Sequence, residues 1–213
     1  MRVSIACIVE GRGEMQAVPC LVRRVAQDHD QTLRVATTMI LGSAGEIADE
    51  RQLKKLVHAA ALKSGRLDGV LIIRDSDGRC PKELGPQILE WASSVAGGRP
   101  VEVVIAKNEY ENWFLAGAPS LAGFKGLPAK LQAPRSPEDV PDAKEWLAHR
   151  MPQKDPYSPA RHQLAFTERV DLSMARARSA SLDKCIEKIL RLLSSLSTSR
   201  QAAAPARQRG GRN

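Results

Sequence analysis

Short apolar runs alternate with stretches of helical periodicity over the first half of the chain, and that alternation restricts it to few folds. Arg2–Val9 reads as a strand. From about Glu14 to Asp28, Val18, Leu21, Val22 and Val25 recur at three- and four-residue spacings, giving a helix one apolar face. Pro19 falls near the first turn of that helix, where proline is best tolerated. Thr32–Leu41 is rich in β-branched residues and reads as a second strand. Gly42 to Gly45 break it, and a helix is expected from about Glu46 to Ser64. Val70–Arg74 is a third strand, Lys82–Val95 a helix, and Val101–Lys107 a fourth strand. The pattern predicts an α/β fold: a parallel sheet of about four strands with flanking helices. Right-handed crossovers then gather the C-terminal ends of the strands on one edge, where such sheets hold ligands.

Beyond Glu111 the pattern changes. Trp113, Phe114 and Leu115 open a short apolar helix, and Gly117–Pro141 shows no clear periodicity. Asp142–Met151 reads as a helix capped by Asp142, and Leu164–Met174 as another. Ser181–Ser195 carries Leu182, Cys185, Ile186, Ile189, Leu190 and Leu193 at helical spacing, the mark of a core-facing stripe. The expected organisation is an α/β core over residues 1–117, a helical C-terminal extension packed on it over 118–198, and a disordered basic tail over 199–213.

Three acidic clusters each follow an apolar run: Glu10 and Glu14 in V-E-G-R-G-E, Asp75 and Asp77 in R-D-S-D-G, Glu109 and Glu111 in N-E-Y-E-N-W. On a parallel sheet they meet at one edge. Six carboxylates there repel one another unless a hard cation sits among them, which points to magnesium chemistry on a phosphate substrate. Alternate residues on an extended segment point the same way, so D-x-D and E-x-E each aim two carboxylates at once. Glu14, four residues after Glu10 across a glycine turn, projects back toward it. Two-metal phosphodiester chemistry needs such a set, with one ion activating water and one neutralising the leaving oxygen. The helix N-terminus after Gly13 offers unpaired N–H groups to a phosphate, with Arg12 to assist. Oxygen ligands suit Mg²⁺ and Mn²⁺ alike.

The remaining composition limits the alternatives. Hydrophobic content is 43% and charged content 26% of 213 residues, ordinary for a soluble globular protein. No stretch approaches the ~18–20 apolar residues of a membrane span, and the N-terminal run is too short for a signal peptide. A cytoplasmic protein with no membrane partner is expected. Cys7, Cys20, Cys80 and Cys185 form no C-x-x-C pair and read as small core residues. His29, His58, His149 and His162 fall in no metal pattern, and His162 is a candidate phosphate contact. The formal net charge is +8, half of it on Arg200, Arg207, Arg209 and Arg212, a balance that permits a polyanionic partner.

V-E-G-R-G-E, L-I-I-R-D-S-D and E-Y-E in this strand context resemble the TOPRIM domain of topoisomerases, primases and OLD-family nucleases. Glu14 and the Glu-x-Glu resemble the OLD-family nuclease branch most. The run E-G-x-G-E-x-x-A-x-P-x-L-x-R-R, with E-x-E-x-W-F-L-A later, is similar to the small stand-alone proteins of the DUF4276 family. The resemblance implies a TOPRIM-like core and a bacterial protein accompanying an ATPase in a defence-like module. It implies Glu10 as general base or metal ligand, Asp75 and Asp77 as magnesium ligands, and Glu14, Glu109 and Glu111 completing two sites. A downstream basic residue would stabilise the transition state, with Lys144 the first candidate and Lys107 the second.

The expectation is a magnesium-dependent nuclease or nuclease subunit acting on nucleic acid, DNA ahead of RNA, with a homodimer as a candidate assembly. The alternative is a non-catalytic metal- or nucleotide-binding regulator of a partner ATPase. A haloacid-dehalogenase-like phosphatase needs its D-x-D after the first strand, where Glu10 stands. A nucleotide-sugar transferase leaves Glu10, Glu14 and the Glu-x-Glu unexplained.

Overall fold

A computed structural model describes residues 3–41, 50–64 and 66–202, with side chains to residue 198. Four strands, β1 (Val3–Val9), β2 (Leu33–Ile40), β3 (Gly69–Asp75) and β4 (Val101–Ala106), form one sheet in the order β2-β1-β3-β4. Every pairing is parallel. The register slips between Ile5 and Ala6, which leaves Ala36 as the extra residue of a bulge in β2.

β1 and β3 are buried along their whole length because both of their faces are covered. Ile5, Cys7, Val9, Leu71 and Ile73 face one core, with α1 (Glu14–Asp28) and the C-terminal helices. Ala6, Ile8, Val70 and Ile72 face the other, with α2 (Glu50–Lys63) and α3 (Pro81–Ser93). Val18, Leu21, Val22 and Val25 of α1 are all buried, as their spacing predicts.

α4 (Asn112–Ala116) closes the core, and the extension runs through α5 (Ala143–Ala148), α6 (Leu164–Arg169), α7 (Leu172–Arg176) and α8 (Ala180–Ala202). Its apolar residues join the α1 core in a single cluster, and α8 lies against β4, β3 and β1. The stretch without periodicity holds short 3-10 turns at Ala118–Leu121, Phe124–Gly126 and Pro137–Asp139.

Three expectations are corrected. The helix foreseen over Leu164–Met174 is two helices. Val170 turns extended (φ −56°, ψ 136°) against Gly117, where a Cβ would lie 2.4 Å from Val170 Cγ2. Asp171 then starts α7 by accepting the Met174 N–H at 2.9 Å. Cys80 is exposed, because it precedes Pro81 at the start of α3, whereas the other three cysteines are buried. α8 continues past Thr198 to Ala202, into the stretch assigned to the tail. The rest of that stretch, and the start of the helix foreseen from Glu46, lie outside the described residues. Among the described residues no helix is long and apolar enough to cross a membrane.

Candidate metal centre

Parallel strands bring the ends of β1, β3 and β4 to one edge, and the acidic residues collect there as the topology requires. Glu10 directly follows β1, Asp75 ends β3, and Glu14 opens α1. Glu10, Asp75 and Asp77 each present a carboxylate oxygen within 4.8 Å of the others. Glu10 and Asp75 are buried and Asp77 is exposed.

Hydrogen bonds stitch the loops of this edge together. Ser76 N–H donates to Ala106 O at 2.9 Å, and Asn108 N–H donates to Ser76 Oγ at 2.8 Å. Asp77 (φ 47°) and Asn108 (φ 61°) turn the chain in the left-handed region, which short polar side chains tolerate. The extended D-x-D expected from sequence is therefore a turn. Glu111, at φ −62° and ψ −23°, likewise leads into α4 rather than continuing β4. Asn112 is the clamp of this second turn: its Oδ1 accepts the Glu109 N–H at 2.9 Å, and its amide donates to Pro137 O and Val140 O, both at 2.8 Å.

Glu10, Glu14, Asp75, Glu109 and Glu111 are held by donors from the chain itself. Glu10 Oε2 accepts the Asp75 N–H at 3.1 Å and lies 3.7 Å from Arg74 Nε. Glu14 Oε2 accepts the N–H groups of Glu10 (2.7 Å) and Gly11 (3.3 Å), which fixes the turn into α1. Asp75 Oδ1 accepts the Tyr110 N–H at 2.8 Å. Glu111 Oε1 accepts the Tyr157 hydroxyl proton at 2.9 Å. Lys144 Nζ lies 2.7 Å from Glu109 Oε1, 3.6 Å from Glu111 Oε2 and 3.7 Å from Asp75 Oδ2. Lys107, the second basic candidate, instead pairs with Asp139 at 2.5 Å.

The electrostatics record too much negative charge in too little water. Burial first, then the carboxylates of Glu14, Glu10 and Glu111, hold Asp75 well above its usual range against the pull of Lys144. Burial also raises Glu10, with Asp77 adding to it and the Asp75 N–H, Arg74 and Lys144 opposing. Glu14 is pushed up to about 7, chiefly by burial, although the Glu10 N–H draws it down. Glu111 is raised by burial against Lys144 and Tyr157. Burial alone would lower Lys144, but Glu111, Asp75 and Glu109 outweigh it and keep the ammonium charged.

Above these groups lies a cleft of about 300 Å³. One wall is Gly11, Arg12 and Gly13; the other is the Ser158–Gln163 strap of the extension. The walls touch at Gly13, where a Cβ would lie 2.1 Å from Gln163 Oε1 and 2.9 Å from the Pro159 carbonyl carbon.

Arg74, Tyr157 and Gln163 are the site residues that sequence reasoning missed. Arg74 carried a signal, since a charge inside the apolar run L-I-I-R-D has to be paired once that strand is buried. Tyr157 and Gln163 carried none, being far from the acidic motifs in sequence. Gln163 is 1% exposed and its Oε1 accepts no hydrogen bond. His162 is buried, its Nδ1 accepting the Ser158 N–H at 3.0 Å, so it serves the strap and does not line the cleft.

Residues 9–190 match the family model described as Domain of unknown function (DUF4276), and the chain belongs to that family. Neither the curated proteins nor the solved structures gave a match.

Proposed function

We propose that this DUF4276 protein is a divalent-cation-dependent nuclease, or the nuclease subunit of an assembly with an ATPase, hydrolysing phosphodiester bonds of DNA ahead of RNA. The observation that carries this reading is the convergence of Glu10, Asp75 and Asp77 within 4.8 Å, beside a charged lysine and a helix N-terminus. The resemblance to TOPRIM and OLD-family nucleases, carried by the same acidic motifs, agrees with it.

The residues present fit a hard cation. All the converging donors are oxygens, which suits Mg²⁺ or Mn²⁺. Glu10 and Asp75 are buried yet held above their usual range, so added positive charge would relieve a cost the fold already bears. Glu10, Asp75 and Asp77 would hold the cation, which supplies Lewis-acid charge at the phosphoryl group and makes water more acidic.

The chain's own groups supply the rest. The α1 N-terminus and Arg12 line the cleft and favour a phosphate there. Lys144 stays protonated and offsets negative charge developing on the substrate. Tyr157 and the Tyr110 N–H hold Glu111 and Asp75 in place, so the site is set before substrate arrives.

One observation favours the regulator reading: Glu14, Glu109 and Glu111 already bind groups of the chain itself. The test is cleavage of a plasmid and a single-stranded oligonucleotide with Mg²⁺ or Mn²⁺, wild type against Asp75→Asn. Asparagine still accepts the Tyr110 N–H, so the fold should persist. Cation-dependent cutting lost in the variant is the expected result. Cutting that survives in the variant refutes the assignment, and cation binding without cutting hands the site to the regulator.

A further inference from the structure

We infer that the centre takes one divalent cation, at Glu10, Asp75 and Asp77, and that the Lys144 ammonium fills the place of a second. The inference rests on the cation-dependent reading of the site and departs from the two-ion arrangement that the acidic motifs suggest.

Three carboxylates converge on Nζ of Lys144: Glu109 at 2.7 Å, Glu111 at 3.6 Å and Asp75 at 3.7 Å. Such a gathering of oxygens from two strand ends is what a cation site needs, and here a side chain of the protein occupies it. Both oxygens of Glu109 are engaged by one residue, since Oε1 meets the Lys144 ammonium and Oε2 accepts the Lys144 backbone N–H at 3.0 Å. Glu109 therefore anchors the start of α5 and clamps the side chain that the helix carries.

Glu111 is fully buried, with Oε1 taken by Tyr157. Its Oε2 accepts no hydrogen bond, and the ammonium is the charge that faces it. A buried carboxylate oxygen left so is costly unless a positive charge stands close by. Asp75 belongs to both groups, meeting Glu10 and Asp77 on one side and the ammonium on the other. That is the bridging position a shared carboxylate holds between paired ions. Glu14, the remaining glutamate, spends Oε2 on two backbone N–H groups.

The experiment counts Mn²⁺ bound per full-length chain, by calorimetric titration and by the electron paramagnetic resonance spectrum of the bound ion. Wild type should bind one ion with the spectrum of an isolated Mn²⁺. Lys144→Met keeps an unbranched side chain one atom shorter and removes its charge, and it should bind two. Two ions in wild type, or a spin-coupled pair, overturn the inference while leaving the cation-dependent centre intact. One ion in Lys144→Met overturns it as well, since the lysine would then be holding no second place. No ion in wild type sinks the cation reading and the inference together. The wild-type count and spectrum need no variant and decide the matter alone should Lys144→Met fail to fold.

Discussion

Removing a single hydroxyl tests whether the glutamate beside Lys144 is held by the extension. In Tyr157→Phe the ring remains packed against His162 and Phe166, so little apolar contact is lost. What disappears is a 2.9 Å hydrogen bond to Glu111 Oε1, in a residue 0% exposed. Hydrogen bonds to charged groups contribute roughly 1.5–3 kcal/mol, and no water reaches the abandoned oxygen to replace the donor. The ammonium 3.6 Å from the other oxygen offsets part of the loss. We expect a cost of about 2 kcal/mol, or a fall in Tm of roughly 4–8 °C for a chain of this size. In a Glu111→Gln background the same change removes only a neutral hydrogen bond and should cost about 1 kcal/mol. Urea denaturation of the four proteins of this cycle, followed by circular dichroism, measures both quantities. A Tyr157→Phe cost under about 0.5 kcal/mol, unchanged by Glu111→Gln, would refute the argument that a buried charge depends on this donor.

Two further outcomes follow from the same geometry. Glu14 has an ordinary value of 4.5 that burial and the Glu10 carboxylate raise to about 7, so the fold favours its protonated form. The stability this contributes is complete below 4.5 and is lost as pH rises through 7; Asp75, Glu10 and Glu111 shift in the same direction. Melts without divalent cation should therefore fall in Tm between pH 5 and pH 8, saturating Mg²⁺ should restore most at pH 8, and a Glu14→Gln profile should be flatter; equal Mg²⁺ stabilisation at both pH values would contradict this. Gly13→Ala drives a Cβ to 2.1 Å from Gln163 Oε1 and 2.8 Å from Pro159 Cβ, so it should cost about 1–3 kcal/mol and expose the strap to protease. Gly11→Ala meets nothing within 4 Å and is the control, expected within about 0.5 kcal/mol of wild type by denaturation.

The sheet was legible in the sequence because β1, β3 and β4 are nearly apolar runs bounded by glycine, proline and acids, and for β1 and β3 burial on two faces leaves no other pattern. The helix face of α1 was legible for the same reason. What sequence periodicity could not show was the break at Val170, which depends on the absence of a side chain at Gly117, more than fifty residues away. The acidic residues were legible as a group because parallel topology alone gathers strand ends. Their individual roles were not: Glu14 lies across a glycine turn from Glu10 whether it aims at an ion or at the Glu10 N–H. Only the fold shows that its Oε2 takes the N–H. Lys144 stood in an ordinary helix pattern, D-A-K-E-W-L, and only the approach of α5 to the β4 turn gives it three carboxylate neighbours.

The division into a core that carries the acids and an extension that packs on it follows the sequence but separates residues that work together. The core supplies nearly all the negative charge of the centre. Of the positive charge and hydroxyl donors that let it be buried, Arg74 comes from the core, and Lys144 and Tyr157 come from the extension. Without the extension, Glu111 would lose both the donor at Oε1 and the ammonium facing Oε2, and Asp75 would lose its nearest opposing charge. The strap also closes on Gly13, so the shape of the cleft belongs to both parts. A single apolar cluster runs through α1, β1, β3, β4 and α8, so the two parts cannot hinge apart without opening the core. The positions of the carboxylates and of their counter-charges are thus fixed by the same packing that holds the fold together, which is the condition for a preorganised charged site.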